Sequence, residues 1–234
     1  MPEAARRVFA SERLPLAVRY TELLATEGVV RGLIGPREAP RLWDRHVLNS
    51  AVVGEAIPDG SSVCDIGSGA GLPGLVLAIA RPDTTVTLVE PLLRRTTFLE
   101  EVVDELGLSH VRVVRGRAEV LHGVETFDVV TSRAVAPLER LLTWSMPLVA
   151  PHGALVAMKG RSIAEEIETA APVLARYRCG TPEVSEVGAG MVDPQTTLVR
   201  VPWADPAQIG WPLAVGTRAG SQRRRRRSAQ RKVK

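Results

Sequence analysis

Aromatic side chains are scarce in this chain: three Phe, four Trp and two Tyr among 234 residues, or 4% of the sequence. Few rings are therefore available as stacking platforms for the bases of single-stranded nucleic acid, and Trp43 and Trp144 are expected in the core. Cysteine is scarcer still. Cys64 and Cys179 stand far apart and outside any CxxC, which excludes a disulfide framework and a thiolate metal site; both are expected reduced and packed. No apolar run approaches the roughly 20 residues of a membrane span. The charged N-terminus MPEAARRVFASER does not suit a signal peptide, and the chain is read as cytoplasmic, without a membrane role. The four histidines form no metal-binding pattern, so no metal is expected.

Acidic residues are missing from the last seventeen positions, which hold nine of the thirty basic residues: Arg218, Arg223, Arg224, Arg225, Arg226, Arg227, Arg231, Lys232 and Lys234. Positions 1 to 217 thus carry 21 basic against 26 acidic residues, a net of −5, and the basic pI describes a tail. Five consecutive arginines cannot pack into a core. They read either as a solvated, disordered terminus or as contacts to nucleic-acid phosphates.

What is present is periodic. Apolar residues recur at helical spacing between Leu14 and Ile57, dividing at Gly32, Gly35 and Pro36, and predict a helical N-terminal appendage over residues 1–57. Strand and helix patterns then alternate. SSVCDIG reads as a buried strand, GLPGLVLAIA as a helix with Pro73 in its first turn, TTVTLVE as a strand, PLLRRTTFLEEVVDELG as a helix and HVRVVRG as a strand. TFDVVTSRA continues as a strand, PLERLLTWSMPLVA as a helix and GALVAMKG as a strand, followed by a helix over 162–177. Alternation of this kind implies a parallel sheet. Two weaker strands near 183–187 and 197–202 give it a mixed edge. The core is set at 58–203, and order is expected to fade over 204–234.

The sharpest local signal is Asp65-Ile-Gly67-Ser-Gly69-Ala-Gly71-Leu-Pro-Gly74, at the carboxyl end of the first parallel strand. Ligands bind at such positions in open α/β sheets, and glycines let the backbone approach them. Gly69, Gly71 and Gly74 also fit GxGxxG, so the loop alone leaves open whether NAD or another nucleoside is bound. Glu90 ends the next strand, where a carboxylate can accept hydrogen bonds from both ribose hydroxyls, although it would serve NAD equally. Asp65 gives the D-x-G-x-G-x-G form that resembles the first motif of Rossmann-like, class I S-adenosylmethionine-dependent methyltransferases. It is a cofactor contact or a loop-capping carboxylate, and both roles can hold together.

Several segments together resemble the ribosomal small-subunit methyltransferase G family, also called glucose-inhibited division protein B: RLWDRHVLNS (41–50), CDIGSGAGLPGLVLAIARPD (64–83), GRAE (116–119), FDVVTSRAVAPL (127–138) and MKG (158–160). The resemblance implies transfer of a methyl group from S-adenosylmethionine to N7 of a guanine in 16S ribosomal RNA, with the RNA or small subunit as partner; a monomer is expected, although the sequence does not fix the oligomeric state. It implies that Gly67 and Leu72 line the methionine and ribose side of the cofactor, although phenylalanine is common in the family at the position of Leu72. Glu90, Pro91 and Leu92 would hold the ribose, and Ala118 and Glu119 would frame the adenine. Glu119 reads equally as a helix-start acid. Arg133, in the SRA segment, matches an arginine implicated in the family, and it reads alternatively as a salt-bridge partner.

N7 of guanine carries a lone pair and no proton, so no catalytic base is required, and the sequence offers no obvious triad. Arg133 and Lys159 are then the candidates that position the base, because their donors match the acceptors on guanine's Hoogsteen edge. His46, in WDRH, is given a structural or RNA-facing role. Two other readings stay open: a methyltransferase of the same fold acting on a small molecule or protein, and a non-catalytic nucleotide-binding regulator. The second lacks any GxxxxGK[ST] loop in the sequence.

Overall fold

The structure, a computed structural model, describes residues 1–133 and 135–210. The arginine run at 223–227 lies outside the described residues. The N-terminal stretch is a series of short helices joined by turns: α1 (Ala5–Val8), α2 (Leu14–Leu23), α3 (Leu48–Ala51) and short 3₁₀ and π turns between and after them. Strands and helices then alternate as β1 (Ser62–Ile66), α4 (Gly74–Ala80), β2 (Thr85–Glu90), α5 (Leu93–Glu105), β3 (Val111–Arg115), β4 (Phe127–Arg133), α6 (Leu138–Ser145), β5 (Val149–Met158) and α7 (Ile163–Tyr177). Two strands close the described chain, β6 (Glu183–Val187) and β7 (Thr196–Pro202), followed by a 3₁₀ turn at Pro206–Gln208.

The seven strands form one sheet in the order β3-β2-β1-β4-β5-β7-β6. β1 to β5 are parallel, and β7 runs antiparallel to both β5 and β6. Connections reverse direction between β1 and β4, which opens a crevice at their carboxyl ends, the usual ligand position in such sheets.

Each strand alternates between two apolar layers, as the period of two requires. Val63, Val86, Leu88, Val129, Ala154 and Val156 join the layer that contains the N-terminal helices, α4 and α5. Cys64, Ile66, Val89, Val130, Leu155 and Ala157 join the layer that contains α6 and α7. Helix α4 is apolar all round, with Leu75, Val76, Leu77, Ala78 and Ile79 fully buried. It can be so because the N-terminal helices cover the side that the sheet does not. Burying each larger side chain contributes about 1.5–3 kcal/mol, so the N-terminal helices are integral to the core.

Two sequence expectations are corrected at element ends. Pro73 does not sit in the first turn of α4 but precedes it as the N-cap, its carbonyl accepting from the Leu77 N–H at 3.0 Å. The helix expected to run through Ala150 ends at Ser145, and Val149 opens β5 instead. Val149 pairs with Phe127, and the Trp203 indole N–H donates to the carbonyls of Val149 (3.3 Å) and Ala150 (3.1 Å), contacts that a helix would have consumed.

Candidate functional site

Beyond β1 the chain turns through the glycine loop. Gly67 holds φ +71°, and a Cβ there would come within 2.6 Å of Val135 Cγ1, so the loop after β4 lies directly against its backbone. The Gly67 and Ser68 N–H groups both donate to Val89 O (2.8 and 3.2 Å), tying the loop to the end of β2. Asp65 is fully buried beneath it. Its Oδ2 accepts from the Gly74 N–H at 2.9 Å, at the start of α4, while Oδ1 has no partner among the described residues. Burial pushes this carboxyl up to about 7, against the opposing pull of the Gly74 N–H. Of the two roles open to Asp65, the geometry is that of a brace under the loop.

Glu90 closes the floor of the crevice and is 1% exposed. Its Oε2 accepts from Gly69 N–H and its Oε1 from Leu92 N–H, both at 3.0 Å, and Arg95 Nη1 approaches Oε2 at 3.4 Å. Oε1 retains one acceptor site, while Oε2 gives both of its sites to Gly69 and Arg95. Around it lies a cavity of about 500 Å³, within the ~300–1,000 Å³ of small-molecule sites. Gly67, Glu90, Pro91, Leu92, Ala118 and Glu119 line it, six of the residues singled out from sequence. Ile66, Val89 and Ala118 supply apolar wall, and Trp144 is half-buried at its side. Trp144, expected in the core, is therefore a wall of the cleft.

This cavity fits S-adenosylmethionine. A carboxylate at the end of β2 suits a ribose diol, apolar walls suit adenine, and the absence of a side chain at Gly67 lets Val135 pack against the loop backbone at the cavity wall. Gly69 contributes through its hydrogen bond to Glu90. Gly71 and Leu72 do not line the cavity; Leu72 is 8% exposed and packs into the core.

A second, larger cavity of about 730 Å³ opens beside the first, and Val135 is a wall of both. Asn49, Arg133, Met158, Lys159, Arg161 and Thr197 are among its lining residues. Arg133 is alternate in register with Val129, so it emerges on the sheet face covered by the N-terminal helices. One of its nitrogens, Nη2, donates to His46 Nδ1; Nη1 is buried with no partner among the described residues. Lys159 follows β5, and its ammonium is bound to Ala136 O (2.9 Å) and Glu166 Oε2 (2.7 Å). Glu166 in turn accepts from Leu138 N–H at 2.7 Å, so this pair staples the β4–α6 loop.

The family described as rRNA small subunit methyltransferase G matches residues 13–187 of the sequence. The chain belongs to that family. It is 65% identical over 225 residues to the ribosomal RNA small subunit methyltransferase G of Nocardioides sp., covering 96% of this chain and 90% of the relative. It is 54% identical to the protein of that name from Streptomyces avermitilis, covering 96% of each. Among solved structures, M. jannaschii TYW2 in complex with AdoMet superposes with a TM-score of 0.53 at 15% identity, covering 67% of this chain and 74% of the other. The B. subtilis M1A22 tRNA methyltransferase TrmK gives 0.52 at 17% identity, covering 70% and 67%. The shared fold is that of class I S-adenosylmethionine-dependent methyltransferases.

For this member of the methyltransferase G family, sequence reasoning missed Arg95, Arg117, Val135, Arg140 and Trp144 of the first cavity and Asn49 of the second. Arg117 lies inside the GRAE segment and Val135 inside FDVVTSRAVAPL, signals that could have found them. Arg140 and Trp144 reach the cleft from α6, and nothing local marks them. No helix among the described residues is long and apolar enough to cross a membrane.

Proposed function

We propose that the protein transfers the methyl group of S-adenosylmethionine to N7 of a guanine in 16S ribosomal RNA, with the smaller cavity holding the cofactor and the larger one the target nucleotide. The observation that carries this reading is the shared wall: Val135 lines both a nucleoside-type pocket and a cavity whose lining also includes an arginine and a lysine. Membership of the methyltransferase G family supports the ribosomal RNA as substrate.

When bound, S-adenosylmethionine supplies an electrophilic methyl group on a sulfonium. The protein's part is placement. Glu90 accepts the ribose hydroxyls, the apolar walls exclude water, and the loop at Val135 holds the two cavities edge to edge, so that nucleophile and methyl are brought together without a base. Arg133 lines the larger cavity, and its guanidinium carries donors of the kind that guanine O6 or a phosphate oxygen accepts. Lys159 is assigned a supporting position, keeping the Val135 loop in place. Arg223 to Arg227 bind RNA phosphates, so a chain cut after position 217 holds small subunits more weakly, and its salt slope is shallower by about 0.7–0.9 for every phosphate no longer neutralised.

The test is methyl transfer from labelled S-adenosylmethionine to small subunits from cells lacking the protein, followed by nucleoside analysis. Labelled 7-methylguanosine at one rRNA position is expected. A cofactor-binding protein that labels neither subunits nor naked rRNA would sink the reading.

A further inference from the structure

His46 ties the N-terminal helices to Arg133. It lies on the π-helical turn Trp43–Val47, which lets a residue of the WDRH segment reach the end of β4, 87 positions away. An arginine guanidinium has donors only, so the Nδ1 that meets it must present a lone pair. The ring proton is therefore on Nε2, which donates to Glu38 Oε2 at 2.9 Å. The chain of contacts runs from Glu38 through His46 to Arg133, a lining residue of the larger cavity whose Nη1 is buried with no partner among the described residues.

We infer that His46 is a positioning residue for methyl transfer, its unprotonated Nδ1 holding the Arg133 guanidinium in place at the wall of the cavity assigned to the target nucleotide. The inference rests on the assignment of the larger cavity to that nucleotide. Protonation of His46 turns Nδ1 into a donor facing another donor and sets two cations side by side, so Arg133 is released. The surroundings keep this from happening near neutrality. Burial disfavours the imidazolium most, the charge of Arg133 next, and together they outweigh the favourable pull of Glu38. The charged and titratable groups facing this pair are Glu38, Arg41 and Arg45 from the N-terminal stretch, Tyr20 from α2 and Asp65 from β1. Glu38 itself is held ionised, chiefly by its bond to His46 and further by Arg45 and Arg41. The prediction is an acid limb in turnover that belongs to His46 and lies below the usual imidazole range.

The experiment compares His46→Asn, His46→Gln and His46→Leu in the full chain on small subunits, at saturating S-adenosylmethionine, from pH 5 to pH 8.5. An Asn oxygen can take the place of Nδ1 and accept from Arg133, whereas Gln reaches toward Glu38 and leaves Arg133 unheld. His46→Asn is expected to keep wild-type turnover at pH 8 and to lose the acid limb. His46→Gln and His46→Leu are expected to fall at least about tenfold in kcat/KM at every pH, with cofactor affinity unchanged. Equal activities of the Asn and Gln variants, or an acid limb that survives in His46→Asn, overturn the inference. Arg133→Ala separates the two levels of argument. If it turns over at the wild-type rate, the reading of the larger cavity fails and the His46 inference with it; if it is inactive while His46→Leu matches wild type throughout, His46 alone is excluded. Should His46→Leu fail to fold, the Asn and Gln pair decides.

Discussion

The Tyr20 hydroxyl, fully buried in α2, donates to the carbonyl of Ala70 at 2.8 Å, so an N-terminal helix props up the glycine loop from below. The loop's conformation thus depends on a residue 50 positions before it. Removing the hydroxyl in Tyr20→Phe leaves that carbonyl without its side-chain donor in a dry site, at a cost of about 1–3 kcal/mol. Equilibrium unfolding should show that loss, and calorimetric titration should show weaker S-adenosylmethionine binding. Unchanged affinity would mean that the loop keeps its shape without the prop.

Gly67 is predicted to tolerate no side chain. Gly67→Ala places a methyl against Val135 Cγ1 and adopts φ +71°, where an L residue is strained by roughly 1–2 kcal/mol. Cofactor affinity should fall by at least about tenfold, which corresponds to about 1.4 kcal/mol. Adding Val135→Ala removes the colliding methyl and should restore part of the affinity, but not the share due to backbone strain. A double variant no better than the single one would show that the collision is irrelevant.

Glu90 accepts one backbone N–H on each oxygen, and a glutamine can satisfy only one of them as acceptor. In Glu90→Gln the amide group must confront either Gly69 or Leu92 N–H. Binding of S-adenosylmethionine and of S-adenosylhomocysteine should weaken together, by about tenfold or more. A loss restricted to one of the two ligands would place Glu90 near the sulfur and away from the ribose.

Asp65 gives a pH dependence of known sign. Its folded value near 7 stands above an unfolded value near 3.9, so the folded state binds the proton more tightly. The stability this provides is complete below about pH 4 and is lost as pH rises through 7. Asp65→Asn does not titrate, yet keeps an oxygen for the Gly74 N–H. Relative to wild type, its melting temperature should therefore rise between pH 5 and pH 8, by at least about 3 °C. A difference that shrinks over the same range would show that the native carboxyl is ionised.

Lys159 is predicted to act through the loop it holds. Lys159→Met strips the Ala136 carbonyl and the Glu166 carboxylate of a charged donor, worth about 1.5–3 kcal/mol. Turnover should drop while cofactor affinity stays near wild type, since Lys159 lines only the larger cavity. An equal loss of cofactor affinity would show that Lys159 is also needed to hold Val135 at the wall of the smaller cavity.

Much of the cofactor side is legible in the sequence because its signals are local. The glycine loop, the acid ending β2 and the segment Gly116 to Glu119 each occupy the carboxyl end of a strand, and the alternating pattern places those ends together. The other side is not. Arg133 can be placed at the rim from its strand, yet its partner cannot be named, because the strand period sends it toward the N-terminal helices and only packing brings His46 there. Lys159 has the donors to face a substrate, and the structure instead gives its ammonium to Glu166 of α7 and to Ala136.

The amino-acid order alone determined the succession of strands and helices (though not the ends of α4 and α6), which loop must be glycine, and which carboxylate ends β2, since these follow from backbone sterics and the burial period of near neighbours. Only the tertiary structure decided that Asp65 braces the loop from a buried position, that Tyr20 supports Ala70, and that Glu38, His46 and Arg133 form one line. Desolvation and hydrogen-bond partners depend on what packs against a residue, and the partners that join Tyr20 to Ala70 and His46 to Arg133 are 50 and 87 positions away in the chain.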